Sequence, residues 1–292
     1  MKLSQLYQQS ERPVITFECF PPRNEVAVEK FDNIADKLAA LDPDAFSVTF
    51  GAGGSSREGS FQTLETLLER KKFPAVAYLA GFGLGLADIR SILDRYQHLG
   101  VETVFVVLGD EPTDEGFVAH PESFAHASEI LAFIRQHYNF ELGCAGYPEG
   151  HNQAESLEQD IDYLKLKTRN GAAYIVSQYC YDTDRFFSFV EKCRAAGITV
   201  PIVPGIMPVY TVKMTHNLAR ICGTTLPPAM LEKLDVLAEV DKEDVLQYGI
   251  DLAVVQCREL LKGGVPGLHF YTMNRSKSTT EILGRLKAER LL

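Results

Sequence analysis

The sequence has no apolar run of about 20 residues, the length that a membrane-spanning helix needs, and no apolar core near its first residues. A transmembrane helix and a secretory signal are therefore not expected, and no membrane partner is predicted. The six cysteines include no CxxC pair and lie scattered through mostly apolar stretches, which is typical of reduced, buried thiols. We expect a soluble protein of the cytoplasm.

No run of lysine and arginine is long enough to form a basic stripe, and the formal net charge is −10. General binding to nucleic acid depends on a basic surface, so no nucleic-acid partner is predicted. The seven histidines lack the spacing of metal ligands, and no GxSxG nucleophile elbow occurs. These absences disfavour a hydrolytic metal site, whereas a small anionic ligand in a locally positive pocket stays open.

What the chain does contain is a regular alternation of short apolar runs and longer amphipathic segments. Eight strands are predicted at 14–20, 45–50, 75–80, 103–109, 141–147, 174–180, 200–206 and 267–273. An insertion with at least one helix is predicted from residue 224 to about residue 264, between strand 7 and strand 8. Eight strand–helix units in a chain of this length predict an α/β fold, a (β/α)8 TIM barrel, as a single catalytic domain over residues 1–292. An open doubly wound sheet is the competing architecture.

Polar residues stand where the predicted strands end, which is where barrels of this kind place their chemistry. This ring comprises Glu18, Thr49, Tyr78, Asp110, Tyr147, Glu149, Gln178, Tyr271, Asn274 and Arg275. No predicted strand contains a lysine, which disfavours a Schiff-base aldolase. The contrast between apolar strands and polar ends predicts a small-molecule site.

Three members of this ring suggest particular chemistry. Glu18 follows Phe17 in an apolar run, and burial favours the protonated carboxyl that a general acid needs. Asp110 follows Gly109, which lets a flat ligand approach, and its charge suits a developing cation. The Gln178 amide suits the edge of a heterocycle. The structural alternatives are a rim ion pair for Glu18, a turn or helix cap for Asp110, and a bond to loop backbone for Gln178.

Seven motifs in order resemble the methylenetetrahydrofolate reductase family. They are FECFPPR at 17–23, SVTFGAGG at 47–54, LGD at 108–110, GYPEGH at 146–151, QYCYD at 178–182, PGIMP at 204–208 and HFYTMNR at 269–275. The resemblance covers nearly the whole chain. It implies a flavin barrel with non-covalent FAD, NADH or NADPH as electron donor, and reduction of 5,10-methylenetetrahydrofolate to 5-methyltetrahydrofolate.

The resemblance also implies roles for single residues at the substrate. Glu18 matches the acid that protonates N10 of the folate and opens its five-membered ring to an iminium. Asp110 matches an aspartate beside flavin and pterin that favours this cation. Gln178 matches a contact of folate and nicotinamide, Arg275 a substrate-binding arginine, and Leu218 an apolar cover of the shared site.

For the flavin, the resemblance implies a second set of positions. The matching residues are Thr49, Gly109, Asp110, Ala127, Ala145, Tyr147, His151, Asp160 and Lys167, with Lys167 as the phosphate partner. The sequence departs from the family at four places, where Tyr78 replaces a common His, Leu108 and Leu166 replace frequent arginines, and His126 replaces Tyr. Tyr78, Leu108 and His126 remain expected cofactor contacts, and the two missing arginines leave FMN as an alternative to FAD.

Two other functions stay open at this point. One is a flavin-free barrel transferase or lyase that acts on a pterin, and the other is a barrel that binds ligand without catalysis. We further expect a homo-oligomer with the 224–264 insertion as a contact, and no appended regulatory domain.

Overall fold

A computed structural model describes residues 2–22, 25–51, 57–111, 117–237 and 242–292. The strands are β1 Val14–Cys19, β2 Ala45–Val48, β3 Ala75–Ala80, β4 Thr103–Val107, β5 Glu141–Gly146, β6 Ala172–Ser177, β7 Ile202–Val203, β8 Gly205–Ile206 and β9 Gly267–Tyr271. All of their pairings are parallel, in the order β7-β6-β5-β4-β3-β2-β1-β9-β8. Because only Pro204 separates β7 from β8, the two ends of the sheet meet and the barrel closes there.

Helices cover the outside of this sheet and one end of the barrel. They are α1 Leu3–Gln9, α2 Glu25–Ala39, α3 Arg57–Glu65, α4 Leu86–His98, α5 Ala127–His137, α6 Leu157–Arg169, α7 Thr183–Ala195, α8 Val212–Cys222, α9 Pro228–Leu237, α10 Lys242–Lys262 and α11 Lys277–Ala288. A π-helical turn, Thr66–Arg70, continues α3. Within the described ranges, no helix is both long and apolar enough to cross a membrane. The predicted (β/α)8 barrel is confirmed, and the predicted insertion contains α9 and α10.

Side chains alternate between two apolar layers, as parallel strands covered on both faces require. On β1, Ile15 and Phe17 pack outward with the helices, whereas Val14 points into the barrel. The barrel interior also holds Phe105, Tyr174 and residues of α1, which closes the end of the barrel where the strands begin. The inward-facing positions at the other end are therefore those that can meet a ligand.

Three details differ from the sequence-based prediction. The seventh strand is interrupted at Pro204, which has no N–H to donate to a neighbouring strand, although its carbonyl accepts from the His269 backbone at 3.1 Å. Several strands end one to three residues earlier than predicted, because their last polar residues already belong to loops. Helix α1 was not predicted.

Candidate active site at the carboxyl ends of the strands

Glu18 is buried on β1, with 6% of its surface exposed. The Thr272 hydroxyl, just beyond β9, donates to the Glu18 carbonyl oxygen at 2.6 Å. Asn274 holds the residue that follows β1 through two bonds, since its Oδ1 accepts from the Phe20 N–H at 2.9 Å and its Nδ2 donates to the Phe20 carbonyl at 2.8 Å. The end of β9 thus fixes the backbone that carries the predicted acid.

The Glu18 carboxyl faces other polar side chains of the barrel interior. Oε2 lies 3.9 Å from Nε2 of His269, which is itself 1% exposed. Burial raises the pKa of Tyr78 well above its usual value, and the nearby charge and hydrogen-bonding contact of Glu18 raise this pKa further. The Tyr78 ring stacks on Phe105 with centroids 4.6 Å apart, which fixes its direction. Tyr78 therefore contacts the predicted acid, a relation that its assignment as a cofactor contact did not include.

Gly109 and Asp110 follow β4 at the same end of the barrel. Gly109 has a φ of +88°, and a Cβ there would come within 3.0 Å of the Ala80 Cβ, so the position requires glycine. Asp110 is exposed. Burial raises the pKa of the Cys222 thiol, and the charges of Asp110 and Glu18 both add to that rise. The two predicted carboxylates are thus both close enough to Cys222, at the end of α8, to raise the pKa of its thiol.

The predicted substrate residues surround one aromatic cluster. Leu218 of α8 packs against the cluster of Tyr179, Met207 and Tyr210. The Arg275 guanidinium lies over the Tyr210 ring, 5.1 Å from its centroid. This cluster gives an apolar wall with a cation at its edge.

Gln178 adjoins that wall at the end of β6. Its Oε1 accepts from the Tyr179 backbone N–H at 3.1 Å, so the predicted alternative of a loop contact is met in part. The amide nitrogen has no hydrogen-bond partner among the residues that the structure describes. Gln178 can therefore still donate to a ligand.

The predicted cofactor residues of β5 and α6 also come together. Lys167 donates to the Ala145 carbonyl at 2.8 Å and lies 5.7 Å from the centroid of the Tyr147 ring, and His151 meets that ring edge-on at 4.6 Å. Burial raises the pKa of Asp160, while the charges of Lys167 and His151 lower it. One cation, one carboxylate and two rings thus form a polar corner beside β5.

The other predicted cofactor residues lie around the same end. Thr49 follows β2, and its buried Oγ1 has no hydrogen-bond partner among the described residues. Leu108 precedes Gly109, and its carbonyl accepts from the Phe82 N–H at 2.6 Å. His126 and Ala127 begin α5, where the Glu129 carboxylate accepts from the His126 backbone N–H at 3.1 Å. Arg23 and residues 52–54 of the motifs lie outside the described residues.

Sequence reasoning gave no role to His269 or Thr272, although both lie in the HFYTMNR motif. The signal that could have found them is the alternation along β9, which places His269 and Tyr271 on one face. No cluster of potential metal ligands occurs among the residues that the structure describes.

Comparisons with known proteins place this chain in a family. The family model described as methylenetetrahydrofolate reductase matches residues 2–287. The 5,10-methylenetetrahydrofolate reductase of Escherichia coli is 30% identical over 268 residues, which cover 92% of this chain and 88% of that protein. Methylenetetrahydrofolate reductase (NADH) 1 of Zea mays is 34% identical over 287 residues, 94% of this chain. Methylenetetrahydrofolate reductase 1 of Schizosaccharomyces pombe is 34% identical over 279 residues. This chain spans about half the length of the maize and fission yeast relatives, 48% and 46%.

A solved structure shares the fold. It is an uncharacterised protein from Clostridium thermocellum that binds two copies of 5-methyl-5,6,7,8-tetrahydrofolic acid. The TM-score is 0.68 at 17% identity, over 99% of this chain and 98% of that one. On the family match and the relatives, the chain belongs to the methylenetetrahydrofolate reductase family.

Proposed function

We propose that the chain, as one catalytic barrel domain, reduces 5,10-methylenetetrahydrofolate to 5-methyltetrahydrofolate with bound FAD and NADH or NADPH as donor. Family membership supports the folate reaction. The Escherichia coli 5,10-methylenetetrahydrofolate reductase aligns with this chain over most of its length. The observation that carries the proposal is the buried Glu18 carboxyl at the end of β1, at the same end of the barrel as Asp110.

Glu18 is the proposed general acid. Its O–H bond breaks, its proton forms an N–H bond at N10 of the folate, and the electron pair stays on the carboxylate. The bond between N10 and the methylene carbon opens, which leaves a cation on the substrate. The Asp110 carboxylate favours this cation through its charge.

The remaining substrate residues orient the folate. Gln178 offers its free amide hydrogens to the pterin edge, and Leu218 covers the ring with apolar surface. Arg275 offers a cation to the anionic part of the folate. Together these contacts hold the methylene carbon against the flavin position.

The described residues fit a flavin. The unpartnered Thr49 Oγ1 and the close approach of backbone at Gly109 suit a flat, polar ring. Lys167, with Asp160 and the rings of Tyr147 and His151, offers a cation for phosphate beside polar and aromatic surface. When bound, the flavin would supply the hydride. Ala127, Ala145 and Leu108 would line this site, with Tyr78 and His126 at its margin.

The decisive experiment separates the two half-reactions. Purified protein saturated with FAD is expected to lose its yellow colour under anaerobic conditions with NADH or NADPH, and to regain it with methylenetetrahydrofolate. Glu18→Gln is expected to keep the first step and to lose the second by at least about 100-fold, since general acid catalysis supplies about 10²–10⁴-fold.

Glu191→Gln, an exposed glutamate on α7, is the matched control and should leave both steps unchanged. Protein that takes up neither FAD nor FMN would contradict the flavin part of the proposal and would favour a flavin-free pterin enzyme. Equal loss of both steps in Glu18→Gln would contradict the role of the acid.

A further inference from the structure

His269 is a buried polar side chain that the proposed reaction does not use. Its Nδ1 lies 2.8 Å from the Thr16 Oγ1, a hydrogen bond in the barrel interior. Its Nε2 has no hydrogen-bond partner among the described residues and lies 3.9 Å from the Glu18 Oε2. An unsatisfied buried nitrogen is costly, so its position beside a buried carboxyl requires an explanation.

The register of two strands creates this arrangement. In the β1–β9 pair, Thr16 is opposite His269 and Glu18 is opposite Tyr271. Since alternate residues share a face, all four side chains point into the barrel. The Tyr271 ring stands nearly perpendicular to the imidazole, with centroids 5.1 Å apart, and restricts its rotation. The direction of Nε2 toward Glu18 is thus built into the sheet.

Two hydroxyls behind His269 can set its tautomer. A hydroxyl has one hydrogen to donate and can accept two hydrogen bonds. The Tyr7 hydroxyl lies 3.5 Å from the Thr16 Oγ1 and can donate to it, and Thr16 then donates to Nδ1 of His269. A neutral imidazole that accepts at Nδ1 carries its hydrogen on Nε2. In that tautomer the Nε2 hydrogen is available to Glu18, whose Oε2 lies 3.9 Å from Nε2.

We propose that His269 is a positioning residue that supports the Glu18 carboxylate, with Thr16 setting its tautomer. The inference rests on the proposed function, in which Glu18 gives its proton to the substrate. That transfer leaves a buried anion, which needs hydrogen-bond donors. The Nε2–H of His269 donates to the new carboxylate while no bond of the imidazole breaks. The Tyr78 hydroxyl is the second donor.

The kinetic test uses paired variants. His269→Phe removes the donor, whereas His269→Gln keeps an N–H at about the place of Nε2. His269→Phe should slow reoxidation by folate about 10- to 100-fold, the usual effect of losing a hydrogen bond to a charged group. Reduction by nicotinamide should change little, and His269→Gln should recover most of the loss. Thr16→Val should lose more than Thr16→Ser, which keeps the hydroxyl.

A spectroscopic test does not depend on activity. Ring nitrogens of ¹⁵N-histidine protein, assigned by the signal lost in His269→Gln, are expected to show hydrogen on Nε2 and a bare Nδ1. Glu18→Gln should move the Nε2 resonance. Hydrogen on Nδ1, or an unmoved Nε2 resonance, would overturn the inference. If the wild type lacks folate activity, the proposed function fails, and this measurement still decides the contact.

Discussion

The Thr272 hydroxyl and the Glu18 carbonyl form a buried hydrogen bond of 2.6 Å between the last and first strands of the barrel. Thr272 is fully buried, so no water can replace its hydroxyl without rearrangement. The Thr272 hydroxyl oxygen also accepts from the Asn274 backbone N–H at 3.2 Å. One threonine thus links the backbone of the predicted acid to the turn that follows β9.

Thr272→Val should therefore lower both stability and folate reduction. A buried carbonyl that loses its donor costs about 1–3 kcal/mol, and we expect a loss of this size in the free energy of unfolding. Thr272→Ser keeps the hydroxyl and should lose less, mainly through the missing methyl group. Urea unfolding and stopped-flow reoxidation by folate measure the two effects. Equal behaviour of the two variants would show that the hydrogen bond is unimportant.

Asn274 combines a contact with an unfavourable backbone. Its φ is +53°, and Met273 before it has a φ of +50°. Left-handed backbone costs a residue with a Cβ roughly 1–2 kcal/mol, which glycine avoids. Asn274→Ala should thus be less stable than Asn274→Gly by about 1 kcal/mol, although both lose the bonds to Phe20.

Both Asn274 variants should slow folate reduction, because both free the loop after Glu18. Chemical denaturation gives the stability order, and half-reaction kinetics give the effect on the site. A more stable alanine variant would contradict the strain at this position. Full activity in both variants would contradict the positioning of the chain after Glu18 by Asn274.

The sequence was sufficient to predict the barrel because its apolar runs and amphipathic segments alternate in the period that the fold requires. The sequence did not predict α1, whose only buried residues are Leu3 and Tyr7. A helix of about two turns is too short to show a clear apolar period. The stabilising partner of α1 is Glu141, 138 residues away, which no local pattern predicts. Pro204 likewise ended a strand that its apolar neighbours would have continued.

The sequence predicted those site residues that are unusual for their local sequence. Glu18 and Gln178 are conspicuous because each is polar in an apolar run. His269 and Thr16 are not, since their meaning depends on a strand pairing across 253 residues. The grouping of Tyr78 with Glu18 also required the closed barrel, because β3 and β1 are not neighbours in the sheet.

Glu141 holds α1 against the end of the barrel where the strands begin. Its carboxylate accepts from the Leu3 N–H at 2.8 Å, the Ser4 N–H at 3.1 Å and the Thr103 hydroxyl at 3.1 Å. Glu141→Gln replaces an oxygen acceptor with a donor and should lower the free energy of unfolding by about 1–3 kcal/mol. Hydrogen exchange should then show faster opening of α1, while both half-reactions of the folded protein persist. Unchanged protection of α1 would contradict this.

Burial of Asp160 should make the free energy of unfolding depend on pH. Burial raises the pKa of Asp160 in the folded protein above its usual value of 3.8, so the folded state prefers the protonated carboxyl. The associated stability is present below pH 3.8 and is lost as the pH rises through the folded pKa. Asp160→Asn should therefore raise the Tm of flavin-free protein at pH 7, with a smaller difference near pH 3.5.

The control for Asp160 is Asp162→Asn, an exposed position on the same helix, which should change the Tm little at either pH. The Asp160→Asn protein should also bind FAD more weakly if Asp160 serves the cofactor site. A lower Tm at pH 7 would mean that the interactions with Lys167 and His151 outweigh the cost of burial.

Leu166 offers a gain-of-function test of the flavin site. It lies on α6 beside Lys167, at a position where the resembled family often has arginine, and 44% of its surface is exposed. An arginine can be added there without burying a charge, and its guanidinium suits phosphate oxygens. Leu166→Arg should tighten FAD binding by about tenfold, equivalent to about 1.4 kcal/mol, in a fluorescence titration.

FMN lacks the second phosphate and the adenosine, so its affinity should rise less. Leu166→Gln supplies the control of equal polarity without charge, and added salt should weaken only the arginine variant's advantage. Equal FAD affinity of the arginine and glutamine variants would place the cofactor's phosphates away from α6.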